Sequence, residues 1–213
     1  MEFSVIITAG GTSSRYGKKN KLLEKISGKT ILEYTVEKFL NFEEIIVCAN
    51  EKIIPELEKI LPENVKIIEG GKTRQESVYN GLQECTGEYV LIHDGARPLI
   101  SKEVIEKVKE EVKTKNALTV AVKTIDTIKK ADQNGKIIGT VDRSNLYNIQ
   151  TPQAFKTDLI QKAHTKLKGK DFTDDAGMLE SMGYKVFVTE GEYKNIKLTT
   201  KDDLTYIKAF IKK

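Results

Sequence analysis

The chain has 213 residues, of which 39% are hydrophobic and 31% charged, with a formal net charge of +4. That length holds one domain able to bury a substantial core without disulfide or metal staples, and the composition excludes a disordered, collagenous or membrane-spanning chain. Stretches such as EKVKEEVKTK alternate Lys with Glu as solvated helix faces do, so the small positive charge does not suggest nucleic acid as a partner.

Met1-Glu2-Phe3 leads straight into a strand-like run with no basic segment or apolar signal core, so the cytoplasm is the expected location, with no membrane partner. Strand signals follow as short β-branched runs at 3–8, 44–49, 65–70, 88–94, 117–122 and 184–191. Helical patterns lie between them at 30–40, at 55–61 with Pro55 in the first turn, at 74–85, and at 101–115 with Ser101 as N-cap. Most of the strands are nearly unbroken apolar runs, which a mostly parallel sheet buried on both faces requires. The fold class is therefore α/β, a layered sandwich built on one continuous domain over 1–213. Cys48 sits in an apolar run and Cys85 near a helix end, and both read as buried thiols rather than as a disulfide.

Residues 126–143 break the alternation. They read as two strands around Asn134-Gly135, a pair whose residues tolerate positive φ in a tight hairpin turn. The strands carry Lys129, Lys130 and Lys136 and few large apolar groups, so this hairpin is marginal alone and a second subunit is a candidate support. LYNIQTPQAF at 146–155 follows, then helical patterns at 158–167, 174–183 and 201–213, the last with Thr200 as N-cap and Asp203 at the capping-box distance.

The connection TAGGTSSRYGKKNK at 8–21 leaves the first strand on the rim where open α/β sheets bind ligands. It is neither of the two common phosphate loops. Gly10-Gly11-Thr12-Ser13-Ser14-Arg15 lacks the second and third glycines of a dinucleotide fingerprint, and aligning Gly17-Lys18 with a P-loop places Thr12 and Lys19 at the wrong positions. What remains is a turn of small residues whose backbone N–H groups can approach an anion, with Arg15 and Lys21 able to hold phosphate oxygens. From charge alone, Lys18, Lys19, Lys21 and Lys25 read equally well as a solvated edge.

Two further strand ends fall on the same rim. HDGARP at 93–98 supplies Asp94, suited to a ribose hydroxyl or a hydrated Mg²⁺, beside Arg97 for phosphate. EGGKTRQES at 69–77 opens a helix, so Gly70, Gly71 and Ser77 can also face a nucleotide. His93 alternates to the face opposite Asp94 and reads as a packed histidine, while His164, among Lys and Thr, reads as a surface residue.

Taken together, AGGTSSR with Lys21, GGKTRQES, HDGARP, DT at 126–127, VDR at 141–143, QTPQAF at 150–155, TDDA at 173–176 and NIKLTT at 195–200 resemble the 2-C-methyl-D-erythritol 4-phosphate cytidylyltransferases of the non-mevalonate isoprenoid pathway. The resemblance runs over nearly the whole chain in the family's order. It implies a Rossmann-like three-layer sandwich with a projecting β-arm at 126–143 that locks a homodimer. It also implies a reaction in which the phosphate of methylerythritol phosphate attacks the α-phosphorus of CTP, with Mg²⁺ on the triphosphate, releasing pyrophosphate.

Carried over by motif, Arg15 and Lys21 would stabilise the transition state, while Arg143 from the partner's arm and Lys197 would position the attacking phosphate. Ala9, Gly10, Gly11, Gly71, Ser77 and Asp94 would hold CTP, and Asp94 is also the candidate metal contact, directly or through water. Arg97, Thr127, Thr151 and Thr173, with Arg143 and Lys197, would bind the methylerythritol phosphate. An already ionised phosphate nucleophile needs no general base, which suits a chain with two histidines and no nucleophile–base pairing.

Gly10 stands where the family commonly has a second Ala and Ser13 where it has Gly, and the run from Arg15 to Lys21 is one residue short. A Gly pair there also resembles ribitol-5-phosphate cytidylyltransferases. HDGARP, VDR and NIK favour methylerythritol phosphate as the substrate. A non-catalytic nucleotide-binding module of the same fold would be expected to have lost the cationic set, which is present here.

Overall fold

The computed structural model of the chain describes residues 1–11, 16–17 and 20–211. Eleven strands are formed among them: β1 (Phe3–Ala9), β2 (Lys25–Ile26), β3 (Lys29–Thr30), β4 (Glu44–Ala49), β5 (Val65–Glu69), β6 (Tyr89–Asp94), β7 (Ala117–Lys123), β8 (Ile128–Ala131), β9 (Ile137–Val141), β10 (Tyr147–Lys156) and β11 (Phe187–Glu190). The helices are α1 (Ile31–Glu37), α2 (Ile54–Ile60), α3 (Arg74–Glu84), α4 (Lys102–Lys115), α5 (Thr157–Lys166), α6 (Asp175–Ser181) and α7 (Lys201–Ile211). All six predicted strands are present, the last trimmed to four residues. The predicted N-caps also form: Ser101 Oγ accepts from Val104 N at 3.3 Å, and Thr200 and Asp203 make a reciprocal box.

Seven strands form one sheet in the order β11-β7-β10-β6-β1-β4-β5. β1 pairs in parallel with both β4 and β6, so the chain reverses its direction of travel across the sheet beside β1. That reversal opens a crevice at the carboxyl ends of these strands. Side chains alternate across the sheet: Val5 and Ile7 enter one core with α1, α2, α4 and α7, and Ile6 enters the other with α3, α5 and α6. The result is a three-layer α/β sandwich, mostly parallel, as expected. No helix among the described residues is long and apolar enough to cross a membrane.

Residues 146–155, for which the sequence pattern predicts no element, form β10, antiparallel to both β6 and β7 in the middle of the sheet. Pro152 argues against a central strand because it lacks a ladder donor. The sheet accommodates it by a register shift between Ile149 and Gln153.

The hairpin at 126–143 is formed by β8 and β9 as a separate two-stranded sheet, with nearly every residue exposed. Its turn is not centred on Asn134-Gly135 as predicted. Gly135 N donates to Asp132 O and Asp132 N to Lys136 O, so Gln133 and Asn134 are the central turn residues and Gly135 (φ +82°) follows as a bulge. Asp132 sets this arrangement by accepting from the backbone N–H of Asn134 and Lys136. Cys48 is buried and Cys85 half-buried, and both are free.

Candidate active site

A cleft of about 320 Å³ opens at the crevice, within the usual size of small-molecule sites. Gly10 and Gly11 after β1, Lys72, Thr73, Arg74 and Ser77 after β5, and Asp94 with Ala96 at the end of β6 line it, so the three strand ends converge as predicted. A fourth segment, after β11, adds Lys197 and Thr199. Lys21 enters from a single 3₁₀ turn whose Asn20 side chain accepts from Leu22 N at 3.0 Å.

Glycine is required where the backbone passes Ser77. The Ser77 hydroxyl donates to Thr73 O at 2.9 Å and accepts from Gly71 N at 3.0 Å. A Cβ on Gly10 or Gly70 would lie 2.8 or 2.9 Å from that oxygen, and one on Gly71 would collide with Glu76. These glycines bring two loops together around a buried serine, which forms the cleft wall.

Asp94 is the electrostatic centre. Its carboxylate, 8% exposed, lies 2.7 Å from Lys197 Nζ, 3.3 Å from Arg74 Nε and 3.6 Å from Arg97 Nε. Burial alone would raise its pKa, but Arg74, Lys197 and Arg97 together hold it well below the usual carboxylate range. The segment carrying Lys197 is fixed to the loop after β6: Leu198 N donates to Ala96 O at 2.8 Å and Arg97 Nη1 to Asn195 O at 2.7 Å. Asn195 is itself buried, donating to Thr151 O and Gln150 Oε1. Lys21 Nζ donates to Leu198 O at 2.5 Å, which sets the two lysines side by side.

Behind Asp94 runs a second layer that the sequence pattern does not announce. Arg74 Nη1 donates to Asp175 Oδ2 at 2.7 Å, and Asp175 Oδ1 lies 3.1 Å from His164 Nε2. Burial would lift the Asp175 carboxyl, but Arg74 and the hydrogen bond from His164 hold it down. His164 is thus not a surface residue: it is 2% exposed. The signal is in the spacing, since Ile160, Ala163, His164 and Leu167 follow the i, i+3, i+4, i+7 pattern of the inward stripe of α5. Gln153 supports the same layer, donating to Thr119 Oγ1 and Asp174 Oδ2 while accepting from the backbone N–H of Asp175 and Ala176.

Of the predicted site residues, Gly10, Gly11, Lys21, Ser77, Asp94 and Lys197 line the cleft together. Ala9 is buried just behind it in β1, and Gly71 packs against Ser77. Arg97 braces the 195–198 segment. Thr151 is buried under Asp94, and its hydroxyl accepts from Asp94 N at 3.0 Å. Thr173 is exposed, one residue before the α6 cap Asp174. Thr127 and Arg143 lie exposed on the arm, where Arg143 Nη1 donates to Ile125 O, and neither lines the chain's own cleft. Arg15 and the departures at Thr12 to Ser14, with Lys18 and Lys19, lie outside the described residues. Lys72, Thr73 and Arg74 line the cleft without a predicted role, although all three stand in the GGKTRQES loop.

Among the described residues no cluster of His, Cys, Asp and Glu is arranged to hold a metal by itself. Lys21, Lys72, Arg74 and Lys197 line the cleft, with Asp94 the one carboxylate among the described lining residues. This α/β sheet, with a cation-lined cleft at its switch point, offers a site for an anionic, nucleotide-like ligand. The IspD family model, 2-C-methyl-D-erythritol 4-phosphate cytidylyltransferase, matches residues 3–213. A relative named 2-C-methyl-D-erythritol 4-phosphate cytidylyltransferase, from Caldanaerobacter subterraneus subsp. tengcongensis, is 42% identical over 100% of both chains. The solved structure of the enzyme of that name from Thermus thermophilus superposes with a TM-score of 0.87 at 30% identity, covering 100% of both chains. That of 4-diphosphocytidyl-2C-methyl-D-erythritol synthase from Anaerococcus prevotii gives 0.87 at 32% identity over 100% of this chain and 99% of its own. The chain belongs to the IspD family of 2-C-methyl-D-erythritol 4-phosphate cytidylyltransferases.

Proposed function

We infer that the chain transfers CMP from CTP to 2-C-methyl-D-erythritol 4-phosphate, in isoprenoid precursor biosynthesis. The observation that carries this reading is the grouping of Lys21, Lys197, Arg74 and Lys72 around a cleft with no Cys or His among its described lining residues. A phosphate oxygen of the sugar forms a bond to the α-phosphorus of CTP as the bond to the β-phosphate breaks, and pyrophosphate leaves with the electron pair. Both reactants are already ionised, so the side chains have to neutralise, align and hold charge.

The backbone of Ala9 to Gly11 and the Gly71–Ser77 wall hold the nucleotide. Lys21, with Arg15, stabilises the charge that builds on the triphosphate, and Lys197 meets the attacking phosphate. Arg97 fixes the segment that carries Lys197, while Thr127, Thr151 and Thr173 belong to the sugar side. Asp94 is the one carboxylate among the described lining residues. Such a cleft fits a Mg²⁺ that travels on the triphosphate, with Asp94 as at most one contact, direct or through water, and does not fit a metal held in a protein cage. Bound on the triphosphate, such an ion would supply charge neutralisation to the departing pyrophosphate.

The active form is a homodimer locked by the β-arm, acting in the cytoplasm as a single nucleotidyltransferase domain. Ile125 just before the arm and Ile137 and Ile138 on it are 63%, 60% and 64% exposed, an apolar surface that a second subunit would cover. In that dimer Arg143 completes the partner's cleft. The test is pyrophosphate release from CTP with methylerythritol phosphate, ribitol 5-phosphate and other sugar phosphates in turn. Preference for ribitol 5-phosphate, or for another nucleotide, would refute the substrate while leaving the class; CTP binding with no turnover on any acceptor would refute catalysis.

A further inference from the structure

Gln150 and Asn195 are buried, at 7% and 0% exposure, and the proposed chemistry gives neither a role. Their side chains meet head to tail. Gln150 Nε2 donates to Glu192 O at 2.9 Å, and Gln150 Oε1 accepts from Asn195 Nδ2 at 3.1 Å. Asn195 Nδ2 also donates to Thr151 O at 3.0 Å. A carbonyl oxygen can only accept, so Glu192 O and Thr151 O fix which end of each amide is nitrogen. Turning either amide over would set oxygen against oxygen. Asn195 Oδ1 is buried with no partner among the described residues, so this side chain is kept for its two hydrogens.

The sheet explains how the two side chains come to meet. β7 separates β10 from β11, and the β10–β7 register shifts between the pair Ile149–Ala121 and the pair Gln153–Thr119. Gln150 falls in that shift without a ladder partner in β7, and its side chain takes up the turn that follows β11. The turn lies close: Gly191 N donates to Ala121 O at 2.8 Å, and a Cβ on Gly191 would stand 2.5 Å from Val120 Cγ1 and 2.7 Å from Gln150 Oε1. Asn195 N then closes onto Glu192 O at 3.0 Å, and Asn195 O accepts from Arg97 Nη1 at 2.7 Å. Two residues on, Lys197 Nζ is 2.7 Å from Asp94. Asn195 thus touches the backbone at Thr151 and the arginine after β6 while its own chain leads directly to Lys197.

We propose that Gln150 and Asn195 are positioning residues, a pair of primary amides of fixed orientation that sets Lys197 relative to Thr151 so that one sugar phosphate meets both. The kinetic part of this proposal rests on the cytidylyltransferase reading; the amide orientation does not.

The two parts are tested separately. In ¹⁵N NMR the side-chain NH₂ signals of Gln150 and Asn195, assigned by their loss in Gln150→Met and Asn195→Ala, should exchange with solvent far more slowly than those of exposed amides. Exchange as fast as that of exposed amides would overturn the proposal whatever the substrate. In kinetics, Asn195→Ala should lower kcat/KM for the sugar phosphate by about tenfold to a hundredfold and Gln150→Met by about tenfold, with KM for CTP little changed. The double variant should lose less than the product of the two, because both changes act on one turn. Gly191→Ala removes no hydrogen-bonding group but displaces the same turn, and should show the same one-sided loss; it carries the test if thermal unfolding shows that Asn195→Ala is not folded. A loss shared equally by both substrates, effects that multiply, or a lower Tm with unchanged kinetics would make the pair a structural brace and overturn the proposal. A wild type with slowly exchanging amides and no cytidylyl transfer would refute the functional reading and leave the amide pair standing.

Discussion

Replacing Arg74 with Met tests whether the layer behind the cleft is held by charge. Arg74 joins two carboxylates, 3.3 Å from Asp94 and 2.7 Å from Asp175, whose side chains are 8% and 1% exposed. Without it Asp94 keeps Lys197 and Arg97, but Asp175 keeps only His164 as a side-chain partner among the described residues. Removing one partner of a buried ion pair costs about 3–5 kcal/mol, chiefly from the charge left behind. For a chain of this size each kcal/mol lowers Tm by about 2–4 °C, so Arg74→Met should unfold roughly 6–20 °C below wild type at neutral pH.

The pH dependence separates this cause from lost packing. Both carboxylates are held below their ordinary range in the folded protein. Their contribution is therefore complete above the unfolded value of about 4 and is lost as pH falls through the lower folded values. In the variant Asp175 no longer has Arg74 and protonates at higher pH, which relieves the buried charge. The Tm gap should be largest at neutral pH and should narrow at about pH 4. Calorimetry at both pH values checks it. A gap under about 2 °C at neutral pH, or one that stays constant on acidification, would refute the assignment. Arg74→Lys keeps the charge without the fork and should fall between the two.

Lys197→Ala should reduce kcat by about 10²–10³, the range for removing one preorganised charge stabiliser, and a near-normal rate would remove Lys197 from the mechanism. If Arg143 acts across a dimer, mixing inactive Arg143→Ala and Lys197→Ala chains in equal amounts should regain roughly a quarter of wild-type activity, because each mixed dimer holds one intact site. No recovery after confirmed subunit exchange would place Arg143 elsewhere. Burial pushes both Cys48 and Cys85 thiols up to about 12, so neither should react with Ellman's reagent at mildly alkaline pH until the protein is unfolded. Fast labelling of either in the native state would contradict that.

Periodicity and strand-end position reveal most of the sheet and three walls of the cleft, because these depend on local pattern. What they do not reveal depends on pairing at long range. β10 is hidden by Pro152, which only the register shift accommodates. His164 reads as exposed when its flanking Lys and Thr residues are weighed above its place on the stripe with Ile160 and Ala163. Arg74 stands in a conspicuous motif, but its partners Asp94 and Asp175 are 20 and 101 residues away in the chain. Thr151 and Gln153 likewise belong to such a motif, and the structure uses both hydrogen-bonding side chains as internal supports. Lys197 is placed by resemblance alone, and its position follows from contacts at Ala96 and Asn195 that no local rule could give.

Asp94 carries three cations, and they are not equivalent. Arg97 is 11% exposed and fixed to Asn195 O, Arg74 is 28% exposed and fixed to Asp175, and Lys197 is 39% exposed. Lys197 is therefore the partner able to turn toward an incoming anion. Its departure leaves Asp94 with two guanidinium partners, so the carboxylate is not stranded and the full cost of a buried unpaired charge does not arise. On the proposed reaction the lysine would exchange one oxyanion for another and keep a charge-assisted hydrogen bond throughout. Asp94 would thereby hold the lysine at the cleft until the phosphate arrives, with the two arginines keeping the barrier to its release low.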